Sequence, residues 1–150
     1  MNATTTYPSS VHEKYLGIVQ LARTIDKAKM VAKGTIGEYR YDCSMDQALF
    51  TEFGIDAKKL SAVVADAVKN DSHSANIEAY VKPLVQKKTA QEIERFNRDT
   101  LTRKPTGEGL EHFQKLRTRI APDRTDVTSW PDLLDLEEGR LVPKRTSGTN

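Results

Sequence analysis

Arg23, Asp26, Lys27 and Met30 recur at helical spacing, which sets a guanidinium, a carboxylate and an ammonium on one face. Just downstream, Glu38, Tyr39, Tyr41, Asp42, Cys43 and Asp46 crowd into nine residues. If the link 34–43 folds back over that face, Glu38 or a tyrosine meets Arg23. Cations to clamp, an acid to orient and phenols to line are the parts of a small-anion site. The same parts also make a buried charge network that fixes how the link packs. Asp26 lies three residues after Arg23, close enough to pair with it.

A second concentration lies in RIAPDRTDVTSWPDLLDLEEGR, residues 119–140. Arg124 is a planar five-donor fork suited to carboxylate or phosphate. Trp130 is a large apolar plug with one polar handle. Asp123, Thr125 and Asp126 are turn formers, and Thr128 or Ser129 caps a short final helix. Those local devices build a joint without any ligand, whereas Arg124 and Trp130 are left over by that account. The candidate ligand-binding set is therefore Arg23, Asp26, Lys27, Glu38, Tyr39, Tyr41, Arg124 and Trp130. In an enzyme built on the same cluster, Glu38 or Asp46 is the general base. No catalytic residue is assigned beyond that.

Other chemistries lack their parts. Cys43 precedes Ser44 at a helix start, where the dipole favours a thiolate, but no histidine is near it in sequence. A small buried apolar side chain is the competing reading of Cys43. His12, His73 and His112 belong to no zinc or di-iron spacing. Asp132, Asp135, Glu137 and Glu138 do not follow a calcium loop and read as a charged helix flank. There is no phosphate-binding glycine loop and no nucleophile elbow. No metal and no cofactor is expected.

The elements that must position these residues are helical. Ile18, Leu21, Ile25, Ala28 and Ala32 form one stripe, and Leu16, Val19, Arg23, Asp26 and Met30 a second, on a helix stopped by Gly34. One short extended segment at most is expected, near residues 38–41. Ser44 with Gln47 reads as a capping box, Asp56 as a cap and Thr89 with Glu92 as another box. Pro83 kinks or stops its helix near Lys82. Leu110, Phe113, Leu116 and Ile120 face inward on a helix closed by Pro122. The expectation is an all-α, single compact domain of six or seven helices over residues 11–142. A flexible N-terminus, 1–10, and a flexible tail, 143–150, flank it.

Composition limits the partners. The chain has 150 residues, 37% hydrophobic and 29% charged, with a formal net charge of +2, so a real core is affordable and no basic footprint for nucleic acid is present. The basic pairs at 58–59, 87–88 and 144–145 are dispersed. No run approaches the roughly 18 apolar residues of a membrane span. A polar N-terminus and a single cysteine suit a reducing cytoplasm. A small molecule or a protein partner is expected, with a homodimer through an exposed apolar face as a further reading, and neither nucleic acid nor membrane.

Two long strings, LARTIDKAKMVAKGTIGEYRYDCSMDQALFTEFGID and the 119–140 segment, resemble a family of small bacterial proteins, domain-of-unknown-function family 5069. The resemblance covers about residues 16–142. Ala22 stands where that pattern often has proline, and Pro131 where it often has an aromatic. The resemblance implies no reaction. The residues themselves point to binding of a small anionic ligand or a charged partner group.

Overall fold

The computed structural model describes residues 7–145, apart from the side chain of Ser72. Helix α1, Leu21–Lys33, contains neither glycine nor proline, and buries Leu21, Ile25 and Ala28. Gly34 ends it with φ 72°, a left-handed conformation that a side chain resists. The Gly34 and Thr35 N–H groups close on Val31 and Met30 carbonyls at 3.1 and 2.8 Å.

The helix starts later than the stripe from Leu16 suggests. Leu16, Gly17 and Gln20 have φ of 54°, 82° and 71°, which no right-handed helix accommodates. Tyr15 and Ile18 instead exchange two backbone hydrogen bonds of 3.0 Å each. This turn buries Ile18 and Val19 completely. Its polar groups are met from a distance in sequence: Asn97 accepts from Val19 N–H at 3.1 Å and donates to Gly17 O at 3.0 Å. Periodicity alone cannot separate a buried turn from one more helical turn.

Six further helices follow: α2 Ser44–Phe53, α3 Ala57–Lys69, α4 Ala75–Gln86, α5 Ala90–Leu101, α6 Glu108–Ile120 and α7 Trp130–Glu137. The class is all-α, and among the described residues there is no strand. The segment 38–41 is a pair of turns, with Gly37 at φ 58° and Asp42 at φ 69°. None of the described helices is long and apolar enough to cross a membrane.

Several caps stand where the sequence puts them. Asp56 accepts from Lys59 N–H at 2.9 Å. Thr89 and Glu92 exchange their reciprocal pair at 3.1 and 2.9 Å. Of Thr128 and Ser129, Ser129 caps α7. The α2 cap differs. Its N-cap is Cys43 and its third residue is Asp46, so Asp46, not Gln47, reaches back to the Cys43 N–H. Gln47 donates to Asp42 O at 3.1 Å. Helix α4 runs through Pro83 without stopping, and Ala79, whose carbonyl the proline leaves without an N–H partner, is exposed, as is Pro83.

Contacts divide the described chain into two compact units, the division falling after Asn97, within α5. In the first, α1 packs on α2 and α3, and α3 on α4. Its core includes Ile25, Leu49, Phe50, Phe53, Leu60, Val64, Ile77, Val81 and Phe96. Residues 8–10, expected as part of a free arm, join it: Pro8 is buried and Ser9 hydrogen-bonds to α1. In the second unit, α6 packs on α7 around Phe113, Val127, Leu133 and Val142, with Trp130 edge-on to Phe113 at 5.0 Å. Leu110 is 43% exposed, contrary to its place in the stripe, because a short second unit needs only part of that face. Residues 143–145, expected as the start of a free tail, carry hydrogen bonds to this unit through Pro143 O and Arg145. The expectations for residues 1–6 and 146–150 lie outside the described residues.

Leu60 of α3 is fully buried in the first core, and Leu141 is 94% exposed. Leu60→Ala should therefore cost about 2–5 kcal/mol. Leu141→Ala should stay within about 0.5 kcal/mol of the parent. Urea unfolding of the two variants checks this, and equal midpoints would contradict the assigned packing.

Candidate functional site

The polar cluster of the first unit folds as two layers on opposite sides of α1's charged face. The inner layer centres on Asp46. Its carboxylate sits 2.7 Å from Lys27 Nζ, with side chains 0% and 4% exposed. It also accepts from Gln20 Nε2 at 2.9 Å, Thr24 Oγ1 at 2.5 Å, Asp42 N–H at 2.9 Å and Cys43 N–H at 3.2 Å. Burial pushes its pKa upward, but the charge and hydrogen bond of Lys27, with Thr24 and Gln20, outweigh that and hold it below the usual range. Lys27 also donates to Arg40 O at 2.9 Å and lies 3.4 Å from Cys43 Sγ. One ammonium thus ties α1 to the 35–43 link and to α2. Tyr41 completes the joint, donating to Ala57 O at 2.7 Å and stacking tilted on Phe50. Its phenol is raised well above the ordinary value by burial and then by the Asp46 and Asp42 charges.

The outer layer ties the 8–10 segment to α1, and Arg23 within it is buried. Arg23 donates to Ser9 O at 3.1 Å and lies over the Tyr39 ring, 5.5 Å from its centre. Asp26 accepts from Ser9 N–H at 2.9 Å and from its hydroxyl. Arg23 and Asp26 therefore meet on Ser9, and that docks the arm. Beside them lies a groove of about 680 Å³ with Asp26, Glu38 and Tyr39 in its lining. Its apolar surface comes from Pro8, Met30, Ile36 and the tyrosine rings, and its cations are Lys29 and Lys33. The two lysines are four apart on α1, and among the described residues neither enters an ion pair. Lys33, in the last helical turn, also complements the helix dipole.

Arg124 and Trp130 belong to the second unit. Arg124 grips Asp126 through two hydrogen bonds of 2.9 and 3.1 Å and donates to Pro143 O at 3.2 Å. Asp126 is held far below the usual carboxylate range, first by that fork and then by the Arg145 N–H. Arg145 in turn grips Asp132 with two bonds of 2.9 Å. The acids on the flank of α7 are paired with arginines. Asp132, Asp135 and Glu138 are buried, facing Arg145 and Arg140, and only Glu137 is exposed. Trp130 packs on Phe113 and its N–H backbone donates to Arg103 O at 2.9 Å.

The expected ligand set thus separates. Asp26, Glu38 and Tyr39 line the open groove, with Arg23 behind Tyr39. Lys27 and Tyr41 lie in the buried joint. Arg124 and Trp130 hold the second unit together. Lys29 and Lys33 were not singled out by sequence reasoning. Their signal was available, two lysines at i and i+4 flanking Met30 and just before the glycine stop.

Removing one partner of the buried pair strands the other. Lys27→Met should cost about 3–5 kcal/mol, and Lys27→Met with Asp46→Asn, which removes the charge and keeps an acceptor for the remaining donors, should recover part of it. The folded pKa of Asp46 is lowered, so its stabilisation is present above the unfolded carboxylate value of about 3.9 and is lost as pH falls through the folded value. Urea midpoints across acid pH check this: Asp46→Asn should fall less steeply than the parent between neutral pH and the acid limb.

Among curated proteins no match to this chain is found. A family model described as "Domain of unknown function (DUF5069)" matches residues 5–140, a span that takes in both the Lys27–Asp46 joint and the Arg124 turn. With that model covering all but the ends, the chain belongs to the DUF5069 family.

Proposed function

We propose that this protein is a binding protein for a small amphipathic anion, held in the groove between α1 and the 35–39 turns. The observation that carries this is the division of labour on α1. Arg23, Asp26 and Lys27 are spent on internal partners, while Lys29 and Lys33 rim an apolar groove with donors unspent within the described residues. A volume of about 680 Å³ suits a small organic molecule. Met30, Ile36 and the Tyr39 ring take its apolar body, and the two ammonium groups take its carboxylate or phosphate. Arg23 acts on Tyr39 from behind and fixes the ring's place. A cytoplasmic setting, with one half-buried cysteine in the chain, is part of this proposal.

The carboxylate-base reading has weaker support. Every donor around Asp46 points at its oxygens and its side chain is sealed from solvent, so it has no lone pair to offer a substrate. Glu38 does line the groove, but it is exposed to water.

Titration with phenyl phosphate, read by amide shifts along residues 29–39, tests the proposal. Saturable shifts are expected. Lys29→Gln with Lys33→Gln should weaken binding at least about tenfold, the size of one lost charge-assisted hydrogen bond. Thermal stability should stay near the parent's, since both lysines lie at the surface. Equal binding of phenethylammonium, or an unchanged affinity in the double variant, would sink it.

A further inference from the structure

The second unit carries its own groove, of about 400 Å³, between α6 and the 125–128 segment. Its floor is Leu110, Phe113 and Val127. Leu110 is the large apolar side chain that α6 leaves 43% exposed, and it lies here. Phe113 and Val127 are core residues, 3% and 1% exposed, so the groove lies directly over the unit's core. The ionisable residues lining it, Lys104 and Arg117, are both cationic. Arg117 is half-buried, and its Nη1 lies 3.5 Å from Pro122 O, a long contact that leaves most of its five donors for another acceptor. Thr125 adds a hydroxyl at the rim.

We propose that this groove is a second binding site, for a free carboxylate on a short apolar body. An apolar floor with two cations and no acid at its rim matches that chemistry by charge and by hydrophobicity together. The Arg117 fork takes the carboxylate and Lys104 adds its charge. The hydrocarbon covers Leu110 and reaches Phe113. No acid lines the groove, and Asp126, Asp132 and Glu138 of the same unit are gripped by Arg124, Arg145 and Arg140. The site is independent of the α1 groove, for its lining comes from residues 104–128 alone.

The chain's single tryptophan, Trp130, packs edge-on against Phe113 at 5.0 Å and so reports on this floor. Octanoate is titrated into the full chain, with octanol and octylammonium as comparators, read by Trp130 fluorescence and by amide shifts at residues 110–128. Octanoate is expected to saturate the signal and to bind about tenfold or more tightly than either comparator. Arg117→Gln should remove that advantage and leave octanol unaffected. Lys104→Gln, an exposed change, should weaken octanoate in the same direction even if the arginine variant folds poorly. Lys29→Gln with Lys33→Gln should leave the Trp130 signal unchanged, which separates this site from the α1 groove. The proposal is overturned if octanol matches octanoate, if neither cation variant weakens binding, or if no shifts appear within residues 104–128.

Discussion

One carboxylate organises the part of the first unit where α1, the 35–43 link and α2 meet. Asp46 is wholly buried, and a buried charge is tolerated only where partners replace water. Here two backbone N–H groups cap α2, two side chains from the start of α1 donate, and Lys27 supplies the opposite charge. The donors come from two parts of the chain, residues 20–27 at the start of α1 and residues 42–43 at the end of the link. Satisfying one anion therefore sets the start of α1, the end of the link and the start of α2 at once. The left-handed Gln20 fits the same logic. Its backbone conformation is unfavourable for a side-chain-bearing residue, and its amide is held by Asp46.

The cost of this joint decides what the surface has left for binding. Lys27 is consumed by Asp46, and Arg23 by Ser9 and the Tyr39 ring. The same holds in the second unit, where Arg124 and Arg145 neutralise Asp126 and Asp132. Charged residues that look most like a ligand clamp are the ones folding uses. The cations that remain, Lys29 and Lys33 in one groove and Lys104 and Arg117 in the other, are plainer in sequence and sit beside apolar floors.

Much of the helical framework was legible. Gly34, the Asp56 cap and the Thr89–Glu92 box act within a few residues, so their physics is local and their signals are direct. Errors came where distance in sequence intervened. The turn at 16–20 has helical spacing of apolar residues, and only Asn97, some eighty residues on, satisfies its backbone. The α2 box was read with Gln47 because Ser44 is the better intrinsic cap; Asp46 won the position through its tie to Lys27. On the charged flank of α7, Asp135 and Glu138 pair with Arg140 only a few residues on, whereas the partner of Asp132 is Arg145, thirteen residues away.

By itself, the sequence determined the all-α class, the glycine stops, most of the caps and the region of α1 and its following link as the place where charge concentrates. Each of these depends on residues within one or two helical turns of each other. Only the tertiary structure decided which charges are spent and which are available. That choice turns on whether a side chain finds a partner from elsewhere in the chain, as Lys27 finds Asp46 and Lys29 and Lys33, on the same helix, rim an open groove instead. An ammonium buried beside a carboxylate holds the fold together, whereas Lys29 and Lys33 lie in the lining of an open groove.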